Sequence, residues 1–81
     1  MPEGIKIDKI IDLKGEVCPF PWVKSKKALA NMQIGQILKI IVDHAPAVEN
    51  IPKYFKEESQ EILNVKQTKE SEWEIIVKRE K

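Results

Sequence analysis

The stretch QILKIIV, residues 36–42, decides the fold of this 81-residue chain. In an extended conformation its apolar side chains occupy both faces, with Leu38, Ile40 and Val42 on one face and Ile37 and Ile41 on the other. A strand that is apolar on both faces is typical of the interior of a sheet, because other parts of the protein cover it from both sides. We therefore predict a central strand over residues 36–42.

A strand and a helix precede this central strand. Residues 5–12 are rich in isoleucine and are followed by Gly15, which predicts a first strand over 5–12. At about 100° per residue, one helical arc then collects the side chains of Pro21, Trp22, Ser25, Ala28, Leu29 and Met32. The first helix therefore runs through this segment, and its stop signals lie between Asn31 and Gly35.

A turn and a second helix follow the central strand. Residues 43–46 are predicted to form the turn. Helical spacing then relates Val48, Ile51, Pro52 and Phe55. Because proline has no backbone N–H and crowds the preceding turn, we expect this helix to restart or kink near residue 50.

The last part of the chain is predicted to form a hairpin. Residues 62–69 and 72–78 have the composition of two strands, and Glu70 and Ser71 join them. The order of elements is β-α-β-α-β-β, and right-handed crossovers place both helices on one face of a four-stranded mixed sheet. The sequence thus predicts an α+β fold, a two-layer α/β sandwich that forms a single domain over residues 1–81.

Charge and hydropathy exclude several classes of protein. Fourteen basic and thirteen acidic residues give a formal net charge of +1, whereas a dedicated nucleic-acid-binding protein usually has a strong basic excess. The longest apolar runs are far shorter than the roughly 20 residues that span a bilayer, and the N-terminus has no signal-peptide pattern. We expect a cytoplasmic monomer that does not bind nucleic acid directly and does not insert into a membrane.

The single cysteine, Cys18, limits the chemistry that the chain can perform. It cannot form an internal disulfide, and together with the single histidine, His44, it supplies too few ligands for a thiolate zinc site. The three glycines are isolated from one another, so no phosphate-binding loop is present. We therefore expect no metal ion and no organic cofactor.

Cys18 is placed where a thiol can be activated. It follows a strand and a glycine and precedes a helix, and the unpaired N–H groups at a helix N-terminus favour a nearby anion. This position lowers the pKa of a thiol from its free value of about 8.5, and the resulting thiolate is the species that exchanges sulfur. Pro19 and Pro21 fix the backbone at the helix start. The alternative reading of these residues is a buried, inert cysteine.

The segment GEVCPFP, residues 15–21, resembles the Cys-Pro-x-Pro signature of the TusA/SirA family of sulfur-carrier proteins. The resemblance continues through NMQIGQIL at residues 31–38, Ile51-Pro52, and WEI at residues 73–75. The fold of the family has the same order of elements. Gly-Glu-Val before the cysteine is most similar to the branch associated with thiosulfate uptake, because the tRNA-thiolation branch has arginine where this chain has Val17.

The resemblance implies that Cys18 carries a persulfide. Its sulfur would come from a donor such as a cysteine desulfurase or a rhodanese, and would pass to an acceptor cysteine on a partner protein without any cofactor. Since the chain has no second cysteine, the persulfide cannot collapse into an internal disulfide. Two alternatives stay open: a regulatory or RNA-associated module without transfer chemistry, and an accessory protein that contacts a thiosulfate transporter.

Five further residues are candidates for docking a partner. Phe20 is the candidate for an exposed contact with a donor enzyme, and Lys24, Lys26 and Lys27 form a helix face that faces solvent or docks an acidic partner or tRNA. Glu16 is either a supporting group or a surface residue, because a carboxylate beside a thiolate would oppose its ionisation.

Two further positions depart from the family pattern. The Asp-Pro that follows the second strand appears here as DHAP, residues 43–46, and we expect His44 to be a solvent-exposed turn residue rather than a base for Cys18. The Gly-His after the second helix is replaced by Ser59 and Gln60. If Ser59 adopts the left-handed conformation that glycine favours, it should cost up to about 1 kcal/mol or force another cap.

Overall fold

The computed structural model describes residues 6–17 and 20–81 and contains four strands and two helices in those residues. In chain order they are β1 (Lys9–Asp12), α1 (Phe20–Ala30), β2 (Ile37–Val42), α2 (Ala45–Glu57), β3 (Glu61–Lys69) and β4 (Glu72–Lys78). The predicted order β-α-β-α-β-β and the α+β class are confirmed.

The strands form one mixed sheet in the order β1-β2-β4-β3. β1 and β2 are parallel, with Ile11 opposite Ile40, whereas β4 is antiparallel to both β2 and β3. β2 therefore lies inside the sheet, between β1 and β4, as its apolar sequence predicts. The hairpin at residues 70–71 is also confirmed, since it joins the paired strands β3 and β4.

Both helices pack against the same face of the sheet. The buried core combines residues of α1, α2, β2 and β4, among them Leu29, Leu38, Ile40, Ile51, Phe55, Ile75 and Val77. The opposite face of β2 is only half-buried, and it carries a cross-strand ion pair in which Lys39 Nζ lies 3.1 Å from Glu74 Oε2. The second apolar face of β2 is thus shielded by neighbouring side chains rather than by a further layer of helices.

The first strand is shorter than predicted. β1 begins at Lys9, residues 6–8 are not in strand conformation, and the predicted start at residue 5 lies outside the described residues. The side chain of Asp8 has a physical part in this, because its Oδ2 accepts a hydrogen bond from the Ile37 N–H at 2.8 Å. A carboxylate thereby occupies a donor that a longer parallel ladder would pair with a backbone carbonyl.

The predicted turn at residues 43–46 is wrong for its last two residues, which belong to α2, and the predicted restart near residue 50 is wrong. α2 is one continuous helix from Ala45, with Pro46 in its first turn and Pro52 inside it. Proline is well tolerated in the first turn, where its missing N–H has no helical partner. Pro52 does remove one backbone hydrogen bond, but its ring is buried in the core, and that burial offsets part of the loss.

The end of α2 depends on a residue in a left-handed conformation. Ser59 has φ 65°, its N–H donates to the Lys56 carbonyl at 3.0 Å, and the Gln60 N–H donates to the Phe55 carbonyl at 2.9 Å. These two bonds form a Schellman motif, in which glycine is the preferred residue at the position of Ser59. The expected cost at Ser59 therefore applies, and no alternative cap replaces the left-handed one.

Replacing Ser59 with glycine is expected to stabilise the protein. The left-handed conformation costs a residue with a Cβ about 1–2 kcal/mol, and part of this gain is lost to the greater freedom of glycine in the unfolded chain. We expect Ser59→Gly to raise the free energy of unfolding by up to about 1 kcal/mol in urea denaturation. Glu58→Gly is the matched control, because Glu58 has φ −92° and its replacement should destabilise the protein.

Candidate functional site

The candidate site lies where the carboxyl ends of β1 and β2 meet. Because these strands are parallel, the segment that leads from β1 to Cys18 and the segment that leads from β2 into α2 leave the sheet at the same edge. Cys18 and Pro19 themselves lie outside the described residues. The geometry of the site is therefore defined by the residues on either side of them.

The segment before Cys18 is held by backbone hydrogen bonds. Leu13 is buried, and its N–H donates to the Ile41 carbonyl at 2.8 Å, which continues the pairing of β1 with β2. The Leu13 carbonyl accepts from the Glu16 N–H at 3.1 Å, which closes a turn with Gly15 at φ 87°. A positive φ at the third residue of such a turn is the reason that glycine is needed there.

A carboxylate from the neighbouring segment also holds this turn. Asp43 Oδ1 accepts a hydrogen bond from the Gly15 N–H at 2.9 Å, across 28 positions of sequence. No role for Asp43 is predicted from the sequence. The available signal was its position directly after β2, since the ends of parallel strands share one edge of a sheet.

The helix that follows Cys18 begins at Phe20 and is anchored by aromatic packing. The Phe20 N–H donates to the Val17 carbonyl at 3.0 Å, and Pro21 is buried in the first turn. The Trp22 ring packs between the rings of Tyr54 and Phe55 on α2, at centroid distances of 5.1 and 4.8 Å. The predicted core position of Trp22 is confirmed in that its half-buried ring packs against the core.

Three apolar side chains next to Cys18 in sequence face solvent. Val17, Phe20 and Val23 are 54%, 54% and 52% exposed, and we call them the apolar patch. Phe20 and Val23 are three residues apart on α1 and so lie on one side of the helix. The prediction that Phe20 is exposed is confirmed, whereas Val17 and Val23 were missed because valine in a short segment is more often buried.

Three of the four charged candidates form ion pairs. Glu16 Oε2 lies 2.9 Å from Lys24 Nζ, and Lys26 Nζ lies 3.0 Å from Glu58 Oε2 and 5.8 Å from the centre of the Trp22 ring. Lys27 is exposed and forms no ion pair with any residue in the described ranges. The three lysines face solvent as predicted, but two of them are already engaged by carboxylates.

His44 is not the freely exposed turn residue that the sequence predicts. It is half-buried at the N-cap of α2, where its carbonyl accepts from the Ala47 N–H at 3.0 Å. Its side chain makes no capping hydrogen bond. The segment that carries it does reach the turn before Cys18, but through Asp43 rather than through the imidazole.

Neither a metal centre nor a membrane-spanning helix is found in the described part of the chain. Within residues 6–17 and 20–81, no three side chains of the types His, Asp and Glu are grouped so that they could hold a metal ion. No helix there is both long enough and apolar enough to cross a bilayer.

Comparison with known families decides the relationship of this chain. The family model described as "Sulfurtransferase TusA" matches residues 9–79, which include both parallel strands, both helices and the segment around Cys18. The chain belongs to the TusA sulfurtransferase family.

Relatives agree with this membership, and a solved structure shares the fold. The chain is 40% identical over 75 residues to a candidate sulfur carrier protein of Archaeoglobus fulgidus, which covers 93% of this chain and 85% of that protein. It is 38% identical over 71 residues to the candidate sulfur carrier TsuB of Escherichia coli K12, covering 88% and 95% respectively. The crystal structure of a SirA-like protein from Desulfitobacterium hafniense has the same fold, with a TM-score of 0.80 at 24% identity over 90% of this chain and 99% of that one.

Proposed function

We propose that this TusA-family protein is a sulfur carrier that holds sulfane sulfur as a persulfide on Cys18 and delivers it to a partner protein. The observation that carries the proposal is the family match over residues 9–79, within which Cys18 is the single cysteine of the chain. Its donor is a persulfide-bearing protein such as a cysteine desulfurase or a rhodanese, and its acceptor is a cysteine of another protein. The exchange takes place in the cytoplasm, where thiols are kept reduced.

The proposed transfer consists of two balanced sulfur exchanges. In the first, the Cys18 thiolate attacks the terminal sulfur of the donor persulfide; a new S–S bond forms at Cys18, the S–S bond of the donor breaks, and the donor cysteine leaves as a thiolate. In the second, the acceptor thiolate attacks the terminal sulfur on Cys18, and the Cys18 thiolate is released. The sulfane sulfur moves without net oxidation, so neither step needs a cofactor.

Val17 supports a more specific version of the proposal. Valine stands immediately before Cys18, where the tRNA-thiolation branch has arginine, and this favours a thiosulfate-related role over tRNA thiolation. In that role the Cys18 thiolate would attack the sulfane sulfur of thiosulfate and release sulfite. Contact with a thiosulfate transporter belongs to the same version. The RNA-associated alternative draws less support from the charges, since Lys24 and Lys26 are paired with carboxylates.

Mass spectrometry of the intact protein tests the proposal directly. After incubation with glutathione persulfide, or with a cysteine desulfurase and cysteine, we expect a mass increase of about 32 Da, corresponding to one sulfur atom, that a reducing agent reverses. Digestion should place the added mass on the peptide that contains Cys18. Loading by thiosulfate, with release of sulfite, would support the thiosulfate-related role. A protein that none of these donors modifies is not a sulfur carrier.

The apolar patch is the proposed contact for the donor or acceptor protein. A partner that reaches Cys18 must also cover its neighbours Val17 and Phe20, and an exposed aromatic ring is the kind of residue that dominates binding energy at an interface. We expect Phe20→Ser to slow sulfur transfer from a protein donor by about tenfold or more, through weaker binding. Loading from glutathione persulfide should change little, because a small donor needs no docking surface.

Ile34→Ser is the matched control for the patch. Ile34 is 69% exposed, but it lies beyond the far end of α1, between that helix and β2. We expect Ile34→Ser to leave both rates unchanged. If Phe20→Ser and Ile34→Ser transfer sulfur from the protein donor at the same rate, the patch is not the docking surface.

A further inference from the structure

The turn that precedes Cys18 contains a glycine, the residue with the greatest backbone freedom. Gly15 has φ 87° and is exposed, and only Glu16 and Val17 separate it from Cys18. Glycine populates positive and negative φ about equally, so the turn depends on its hydrogen bonds to hold one conformation; the bond from the Glu16 N–H to the Leu13 carbonyl is one of them. Without these bonds, the direction in which the chain leaves the turn would vary.

Two side chains from other parts of the fold tether this segment, and they differ in strength. Lys24 reaches Glu16 from α1, but both side chains are long and partly exposed, and an ion pair of this kind contributes little. Asp43 reaches Gly15 with a short side chain, and its charged oxygen accepts from a backbone N–H, which makes a stronger hydrogen bond.

Both chain neighbours of Asp43 are held by the fold. Asp43 directly follows Val42, which is fully buried in the central strand, and it directly precedes His44, whose carbonyl accepts the first-turn hydrogen bond from Ala47. The Asp43 carboxylate thus links the turn before Cys18 to the end of β2 and the start of α2. The Gly15 N–H donates to this side chain and not to a backbone carbonyl, so the link depends on Asp43.

We propose that Asp43 is a positioning residue for sulfur transfer, which acts on Cys18 by holding the Gly15 turn that precedes it. This inference rests on the proposed function, since it concerns the same cysteine. Asp43 does not touch the transferred sulfur in this proposal. It acts through the hydrogen bond to Gly15, so loss of the acceptor oxygen should slow transfer more than loss of its negative charge alone.

Two substitutions of Asp43 separate the hydrogen bond from the charge. Asp43→Asn keeps an oxygen that can accept from Gly15, whereas Asp43→Ala removes it. We expect Asp43→Ala to slow the uptake of sulfur from glutathione persulfide by about tenfold, the effect of losing one charge-assisted hydrogen bond, and Asp43→Asn to stay within about threefold of the wild type. Glu49→Ala, which removes an exposed carboxylate on α2, is the control and should leave the rate unchanged.

Hydrogen exchange of the Gly15 amide gives a readout that does not depend on sulfur chemistry. We expect exchange at Gly15 to accelerate about tenfold in Asp43→Ala and little in Asp43→Asn, at a temperature where circular dichroism shows all variants folded. Failure of the wild type to load sulfur would overturn the proposed function but would leave this exchange result standing. An uptake rate in Asp43→Ala equal to the wild type, or a loss in Asp43→Asn as large as that in Asp43→Ala, would overturn the role of Asp43.

Discussion

Cys18→Ala is expected to abolish sulfur transfer completely while the protein stays folded. Sulfur exchange requires a thiolate both to attack and to leave, and the chain has no second cysteine that could replace Cys18. The variant should gain no mass from any donor, and transfer from a protein donor to an acceptor should fall to the rate of the direct reaction between them. Intact-mass spectrometry and a coupled transfer assay measure the two effects.

Cys18→Ser is the matched variant, because a hydroxyl has nearly the size of a thiol but does not accept sulfane sulfur. We expect it to be as inactive as Cys18→Ala. The free energy of unfolding of both variants should lie within about 1 kcal/mol of the wild-type value, because the cysteine side chain is small. Transfer that continues in these variants would contradict the carrier role. RNA binding that persists in Cys18→Ser, with steep salt dependence, would favour the RNA-associated alternative.

Phe55→Ala is expected to have the largest effect on stability. Phe55 is 1% exposed in the last turn of α2, and its ring contacts Trp22 edge to face at a centroid distance of 4.8 Å. Removing a buried phenylalanine side chain costs about 3–5 kcal/mol, which is comparable to the whole stability of a domain of this size. We expect the variant to be largely unfolded at about 37 °C, because the free energy of unfolding falls by about 3–5 kcal/mol. Urea denaturation followed by far-ultraviolet circular dichroism measures the change.

Two other variants show whether the loss comes from this position in the core. Tyr54→Ala removes a neighbouring ring that also contacts Trp22 but is only half-buried, so it should cost clearly less than Phe55→Ala. Phe55→Leu keeps an apolar side chain of moderate size and should cost about 1–2 kcal/mol, so it should fold and can be measured if Phe55→Ala does not. Equal stabilities of Phe55→Ala and Tyr54→Ala would show that the core is not centred on Phe55.

The helix α2 shows where reading the sequence succeeded and where it did not. The spacing of Ile51 and Phe55 correctly predicted a helix, and both side chains lie in the core, because burial of an apolar stripe imposes that spacing. Pro46 predicts a turn and Pro52 predicts a restart or a kink, but one continuous helix contains both. A proline penalty is local, and burial in a tertiary core can offset it, so the sequence pattern alone placed the boundary incorrectly.

The candidate site shows a similar division. The pattern of residues 15–21 predicted Cys18 as the site and indicated the family. It also predicted that Phe20, beside Cys18, is exposed. The role of Asp43 in the site could not be predicted, because its partner Gly15 is 28 positions away and neither residue type indicates the other as its partner. One face of β2 is only half-buried and carries the ion pair of Lys39 with Glu74 instead of a helix. The isoleucines of β2 did not predict this difference between its two faces.

The sequence by itself determined the order of strands and helices, the central place of residues 36–42 and the family, because periodicity, composition and short motifs are local properties of the chain. Only the tertiary structure decided which distant groups meet: the carboxylate of Asp43 with the turn before Cys18, and the rings of α2 with Trp22. These contacts depend on the parallel pairing of β1 with β2 and on the packing of both helices against one face, and these are set by the free energy of the whole core rather than by any one segment.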